Sequence, residues 1–181
     1  MLFRVKGRGF TLSKLVKSSP LVKAIGPNPC LAILRLAPQD YHRFHAPVSG
    51  TIMSITTIPG EYYTVNPQAI NQRLDVLTAN VRSICAIRAQ VSTADETHTR
   101  DVTIAVVAVG ALLVGSIVWA KGEGERIEKG EELGWFRYGG STVVLVMPEG
   151  LVFDMDLMNC SSDKLEMLVK AGEQIGRFGV V

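Results

Sequence analysis

Two short stretches carry groups able to make and break bonds. Residues 137–146, Arg-Tyr-Gly-Gly-Ser-Thr-Val-Val-Leu-Val, set Ser141 directly behind Gly139 and Gly140 and at the head of an apolar run. A serine hydroxyl attacks a carbonyl when a base takes its proton and the bond is correctly presented. A preceding glycine has no Cβ to obstruct that approach, and it tolerates the distorted backbone such an attack requires. Residues 39–50, Gln-Asp-Tyr-His-Arg-Phe-His-Ala-Pro-Val-Ser-Gly, place His42 and His45 three apart. Imidazole titrates near neutrality and so suits proton transfer. On an extended segment the two rings point to opposite faces, whereas a turn brings them together. Each stretch also has a plain alternative: Gly-Gly marks turns in general, and paired histidines are often satisfied by ordinary hydrogen bonds. No third ligand at suitable spacing accompanies the pair, and the remaining histidine, His98, sits in a polar stretch, so no metal site is expected.

The elements that must position these groups read mainly as strands. The runs around "PNPCLAILRLAP", "SGTIMSITTIPGEYYTV" and "DVLTANVRSICAIRAQV" are apolar, β-branched and bounded by turn residues. Thr11 is a candidate cap for one short helix through Leu12, Leu15 and Val16, ending before Pro20. Residues 91–101 are polar and read as an exposed connection. Residues 102–120 have the length of a membrane span and no internal charge. Their valine content and the breaks at Gly110 and Gly115 instead suit two short buried strands around a bend. An internal repeat fits the same picture: Gly130, Glu131, Gly134 and Phe136 align with Gly172, Glu173, Gly176 and Phe178, and Gly60 with Glu61 is a fainter third copy. The expected fold is mainly β (α+β), a compact sandwich or barrel of stacked hairpins with one or two short helices. Hairpins of this kind occur in lipoyl and biotinyl carriers, but no lysine here has the carrier context.

Composition bounds the function. With 47% hydrophobic and 20% charged residues over 181 positions, the chain can bury a real core. A formal net charge of +2 gives no case for nucleic acid and is compatible with an anionic membrane surface. Cys30, Cys85 and Cys160 are odd in number and widely spaced, as inert thiols are. The first sixteen residues show no apolar core or cleavage site of a secretory signal.

Taken together, "DYHRFHAPVSG" and "YGGSTVVLV" resemble the motifs of the phosphatidylserine decarboxylases, a Tyr-His-Arg-Phe-His-x-Pro segment and a Gly-Ser-Thr processing site. The similarity runs from about Val5 to the C-terminus in the expected order. It implies one catalytic domain over 1–181, cut by the chain itself between Gly140 and Ser141 into a β chain, 1–140, and an α chain, 141–181, that stay associated. It implies a covalent pyruvoyl cofactor made from Ser141, with His45 as the base for Ser141 and His42 in substrate positioning or proton transfer. It also implies a phospholipid substrate, peripheral contact with an internal organelle membrane, and scope for oligomers. The family's triad aspartate lies in an Asp-Gly motif upstream of the region matched by "FRVKG", so the expected domain lacks its N-terminal part; Asp40 belongs to the histidine motif. Two alternatives remain beside this reading: a pyruvoyl decarboxylase of a soluble amino acid, and an inactive β scaffold.

Overall fold

The computed structural model describes residues 2–5, 8–64, 75–92, 99–111, 116–139 and 141–179. In chain order they form β1 (Leu2–Val5), β2 (Arg8–Thr11), α1 (Leu12–Val16), α2 (Ser19–Ile25), β3 (Cys30–Leu36), β4 (Arg43–His45), β5 (Gly50–Ile58) and α3 (Val76–Ala79). There follow β6 (Arg82–Ser92), β7 (Thr99–Val109), β8 (Ile117–Trp119), β9 (Arg126–Ile127), β10 (Glu132–Phe136), β11 (Ser141–Met147), β12 (Leu151–Phe153), α4 (Met155–Ser162) and β13 (Gly176–Phe178). The expected mainly β architecture is present. The helices among the described residues number four, more than the sequence suggests, and none exceeds eight residues.

The main sheet has the order β3-β11-β7-β6-β5-β9, with every neighbour antiparallel. All seven residues of β11 are buried, which is why it reads as an unbroken apolar run instead of an alternation. Both of its faces are covered. Val144 and Val146 join Val107, Val109 and Ile84 against Leu12, Leu15, Val16 and Ile25 of the helices. Val143, Leu145 and Met147 face the other way, in one cluster with Phe44, Leu133 and Phe136 of a smaller sheet ordered β4-β10-β8. The result is helices, main sheet and small sheet in three layers.

Local chemistry sets the helix ends. Thr11 Oγ1 accepts the Lys14 N–H at 3.3 Å, and Lys17 ends α1 in the left-handed region at φ 46°. Pro20 does more than stop α1. It sits in the first turn of α2, where a missing N–H costs nothing, behind the Ser18 cap. The segment from Asp75 was expected to be strand throughout, yet Val76–Ala79 is a helical turn before β6 begins. Within 50–64, only Gly50–Ile58 is strand. Strands β6 and β7 extend through Ser92 and from Thr99 into the stretch expected to be loop; residues 93–98, with His98, lie outside the described residues.

The two-strand reading of 102–120 holds where it is described, as β7 and β8, and no helix among the described residues is long and apolar enough to cross a membrane. The repeat is structural. Gly130 and Gly172 take φ of 82° and 87°, and the following Glu131 and Glu173 accept backbone N–H groups three residues back, from Glu128 and Lys170. Gly134 and Gly176 then each leave no room for a Cβ, which would fall 2.3 Å from the Val118 carbonyl oxygen and 2.5 Å from that of Val152. Gly60 lacks the left-handed turn and serves a different contact, against Ala79 and Asn80. The three cysteines are unpaired; burial, then Glu123, pushes the Cys85 thiol up to about 12.

One buried charge joins the layers. Arg82 is fully buried on the helix face of β6. Its Nε donates to the Leu15 carbonyl at 2.6 Å, Nη2 to Lys14 at 2.9 Å, and Nη1 to Thr78 and Asn80 at 2.9 Å each. These are helix-terminal carbonyls without partners in their own helices, and the negative ends of α1 and α3 suit a cation. Burial pulls the guanidinium pKa down and Asp75 counters it. Arg82→Met should lower the free energy of unfolding by at least about 3 kcal/mol in urea titrations, because several buried carbonyls lose their donor together; a loss below 1 kcal/mol would contradict the clamp.

Candidate active site

Ser141 opens β11 opposite Leu36 of β3. Thr142 pairs with Val109 of β7, so the same register carried one step further sets Gly110 beside Ser141. Alternation along β11 puts Ser141 on the face of Val143 and Leu145, toward the small sheet. The residue is fully buried, and its Oγ has no hydrogen-bond partner among the described residues. Buried polar groups are normally satisfied, so an unpartnered hydroxyl at a strand head stands out. Thr142 Oγ1, on the opposite face, and Ser116 Oγ are in the same condition.

The glycine pair has a steric reason at its first member. A Cβ on Gly139 would lie 2.6 Å from the Pro38 carbonyl oxygen and 2.8 Å from Pro38 Cα. The turn before Ser141 therefore rests backbone against backbone on the turn after β3. Asp40 shapes that second turn: its Oδ2 accepts the Ala37 N–H at 2.7 Å while its own N–H reaches the Ala37 carbonyl at 2.9 Å. Gly140 lies outside the described residues.

The histidines sit differently. The His42 carbonyl accepts the Phe136 N–H at 2.9 Å, where the small sheet runs into the turn leading to Ser141. His42 Nδ1 is 2.5 Å from the Asp40 carbonyl, which only accepts, so Nδ1 carries the proton. His45 pairs with Glu132 at the far end of β10. Phe44 points into the core, so its neighbours Arg43 and His45 take the outer face. There Arg43 binds Glu132 at 2.5 Å and covers the Trp135 ring. His45 Nδ1 donates to the Gly130 carbonyl at 2.9 Å, and Nε2 receives the Tyr41 hydroxyl at 2.9 Å, the two rings stacked with centroids 5.8 Å apart. Gly130 is itself held, through its N–H to the Ala46 carbonyl and through Glu131, whose carboxylate Lys121 and the Glu128 N–H keep below the usual range. The structure thus brings His42 to the turn that leads to Ser141 and leaves His45 on the far side of the small sheet. Neither imidazole is bonded to Ser141 Oγ. Among the described residues no cluster of three metal-ligating side chains occurs.

Several residues at this end of the sheet escape a motif reading. Asn80 is fully buried; its Nδ2 donates to the carbonyls of Gly110 and Tyr63 at 2.7 Å, and its Oδ1 accepts the Tyr63 N–H at 3.1 Å. It ties the end of β7 beside Ser141 to the segment following β5. The only sequence signal was an asparagine and an arginine, both strongly polar, two apart at the start of an apolar run. Tyr41 had a better one, since it directly precedes His42.

Comparisons with known proteins agree with these motifs. The family model described as phosphatidylserine decarboxylase matches residues 1–177. The chain is 46% identical over 175 residues to phosphatidylserine decarboxylase proenzyme 3 of Schizosaccharomyces pombe, covering 96% of this chain and 17% of that protein. It is 43% identical over 178 residues to proenzyme 2 of Komagataella phaffii, with 96% and 17% covered. A Chlamydia trachomatis phosphatidylserine decarboxylase proenzyme is 36% identical over 177 residues, with 97% of this chain and 56% of the relative covered. The chain thus spans about half the length of this bacterial relative and about a sixth of the two yeast ones.

Gly139→Ala should cost about 1–3 kcal/mol, the range for overpacking a tight contact. It should also move the backbone amide signals of Pro38's neighbours and of Ser141 in NMR spectra. Unchanged stability and unchanged spectra would contradict the close approach.

Proposed function

The chain belongs to the phosphatidylserine decarboxylase family, and from that premise we propose that residues 1–181 belong to the catalytic domain of a pyruvoyl-dependent enzyme converting phosphatidylserine to phosphatidylethanolamine and CO₂. One observation carries the reading. Ser141 offers a buried hydroxyl with no competing partner among the described residues, two positions after Gly139, whose packing on Pro38 excludes a side chain, in a chain similar to proteins named proenzymes.

A proenzyme becomes active by being cut, and a cut at Ser141 can be made by the chain itself. Ser141 Oγ gives its proton to a base and attacks the Gly140 carbonyl carbon. The bond from that carbon to the Ser141 nitrogen breaks as the nitrogen takes a proton, leaving an ester in place of the amide. Loss of the Ser141 Cα proton then expels the Gly140 carboxylate. The dehydroalanine left at residue 141 tautomerises to an imine, and water replaces its nitrogen, which departs as ammonia. The resulting pyruvoyl carbonyl supplies the electron sink that decarboxylation needs and ordinary side chains lack.

The residues present suit such a group. A serine heads the α chain, 141–181, and the inner face around it is lined by Val143 and the small sheet, where water is scarce. After cleavage the α chain stays bound to the β chain, 1–140, because β11 remains paired along Ser141–Met147 with β3 and along Thr142–Val146 with β7. His45 is the base for Ser141 and His42 serves substrate positioning or proton transfer. For His45 to act, the Tyr41 hydroxyl must leave Nε2 and the ring must reach the inner face; the Gly130 carbonyl keeps the proton on Nδ1 and so leaves Nε2 as the basic nitrogen. The substrate is a bilayer lipid, which makes peripheral contact with an internal membrane part of the same reading.

Ser141→Ala should run as one band on a denaturing gel after any incubation, whereas the parent chain divides into two fragments at residue 141. Labelled CO₂ should be released from phosphatidylserine vesicles by the parent only, and not from free aromatic amino acids. Splitting of the Ser141→Ala chain would remove this serine from the chemistry, and release from the free amino acids alone would remove the phospholipid.

A further inference from the structure

The residues around the Ser141 end of the main sheet have the composition of a membrane interface. Registers place the ends on one side of the molecule: Ile58 pairs with Arg82, Arg82 and Thr142 with Val109, and Ser141 with Leu36. All four tyrosines of the chain lie in the segments leaving this end. Tyr41 follows β3, Tyr62 and Tyr63 follow β5, and Tyr138 precedes β11. Their exposures are 52%, 49%, 44% and 68%. Tyrosine is the amphipathic side chain that settles at the headgroup level, ring toward the acyl chains and hydroxyl toward water. These side chains stand on fixed backbone, because Asn80 grips Tyr63 through both its N–H and its carbonyl, and Gly139 packs on Pro38.

Charge marks the same region. From Met1 to Gln39 the sequence has seven Lys and Arg and no Asp or Glu, although the whole chain is only +2; Arg35 among them is paired with Glu166, and Lys14 and Lys17 stand at this end. Lys14 and Lys17, with Ser13 and Thr78, line an open cleft of about 360 Å³. The Arg82 guanidinium forms part of its support, bonded to the carbonyls of Lys14 and Thr78. Asp75, the carboxylate that acts on Arg82, accepts the Thr78 hydroxyl at 2.6 Å. Arg82 and Thr142 flank Val109 on either side, so the backbone at Arg82, whose side chain supports the cleft, stands about two strand spacings, roughly 10 Å, from that at Thr142.

We propose that this end of the molecule is the surface that docks on an anionic phospholipid bilayer, with Lys14 and Lys17 meeting lipid phosphates and carboxylates and Tyr62, Tyr63 and Tyr138 seated among the headgroups. Juxtaposed lysines attract an anionic leaflet additively, and amphipathic rings add a contribution that salt does not screen. Docking there turns the Ser141 end of the sheet toward the lipid, so this proposal deepens the decarboxylase reading and rests on it for its purpose, though not for its test.

The test uses the 181-residue chain with Ser141→Ala, sedimented with vesicles of phosphatidylcholine with and without phosphatidylserine. Binding should require the anionic lipid. Lys14→Glu with Lys17→Glu should weaken it about tenfold or more, and Tyr62→Ser with Tyr63→Ser should abolish the part that survives high salt. Arg126→Glu, at the opposite end beside Thr51 of β5, should leave it unchanged. Inorganic phosphate should not displace the protein from vesicles; displacement at low millimolar phosphate would make the cleft a free-anion site. Equal binding to neutral vesicles, indifference to the lysine pair, or self-association through the tyrosines in place of vesicle binding would each overturn the proposal. The parent chain keeps the two claims apart. If it stays whole yet docks as described, the cleavage reading fails and the docking surface stands. If it splits but docking ignores these residues, the reverse holds.

Discussion

The architecture depends on β11 being paired on both edges and covered on both faces. Seven consecutive residues with no exposed position can persist only as an interior strand, since any slip of register would leave backbone groups without partners. That constraint sets where Ser141 stands. It is the first residue of the clamped segment, and Gly139, two residues before it, packs against Pro38. A hydroxyl delivered there has no partner among the described residues, while the segment from Ser141 to Met147 is paired within the sheet.

The two polar residues at the start of β6 extend the same logic sideways. Asn80 and Arg82 are fully buried, a costly arrangement unless every donor is used. Their donors reach backbone carbonyls in α1, α3, Tyr63 and Gly110, so one short stretch of sequence joins the helical layer, the segment after β5 and the strand end beside Ser141. The network holds the site from beneath and touches none of its chemistry.

Much of this was legible in the residues. Alternation, β-branching and turn glycines give the strands, and the match between Gly130-Glu131 and Gly172-Glu173 reflects one turn used twice, down to the carboxylate that caps it. The serine and both histidines were legible as chemistry. Their mutual placement was not. Whether two imidazoles three apart face one another depends on the turn at Asp40 and on which face of the small sheet each takes, and that is a tertiary choice: Phe44 goes to the core, which sends His45 outward to Tyr41 and Gly130. The turn at Val76–Ala79 and the second helix behind Pro20 were hidden for a related reason, since α3 is a single turn held by Arg82 and Pro20 reads as a stop until Ser18 is seen capping beyond it.

In the proposed chemistry Ser141 becomes a carbonyl group by opening the bond before it. The intact mass of the fragment beginning at residue 141 tests this directly. The fragment should be lighter by one ammonia than the same peptide starting with serine, and blocked to sequential degradation from its N-terminus. A fragment carrying an ordinary serine there would mean hydrolysis by another agent, and it would contradict the account.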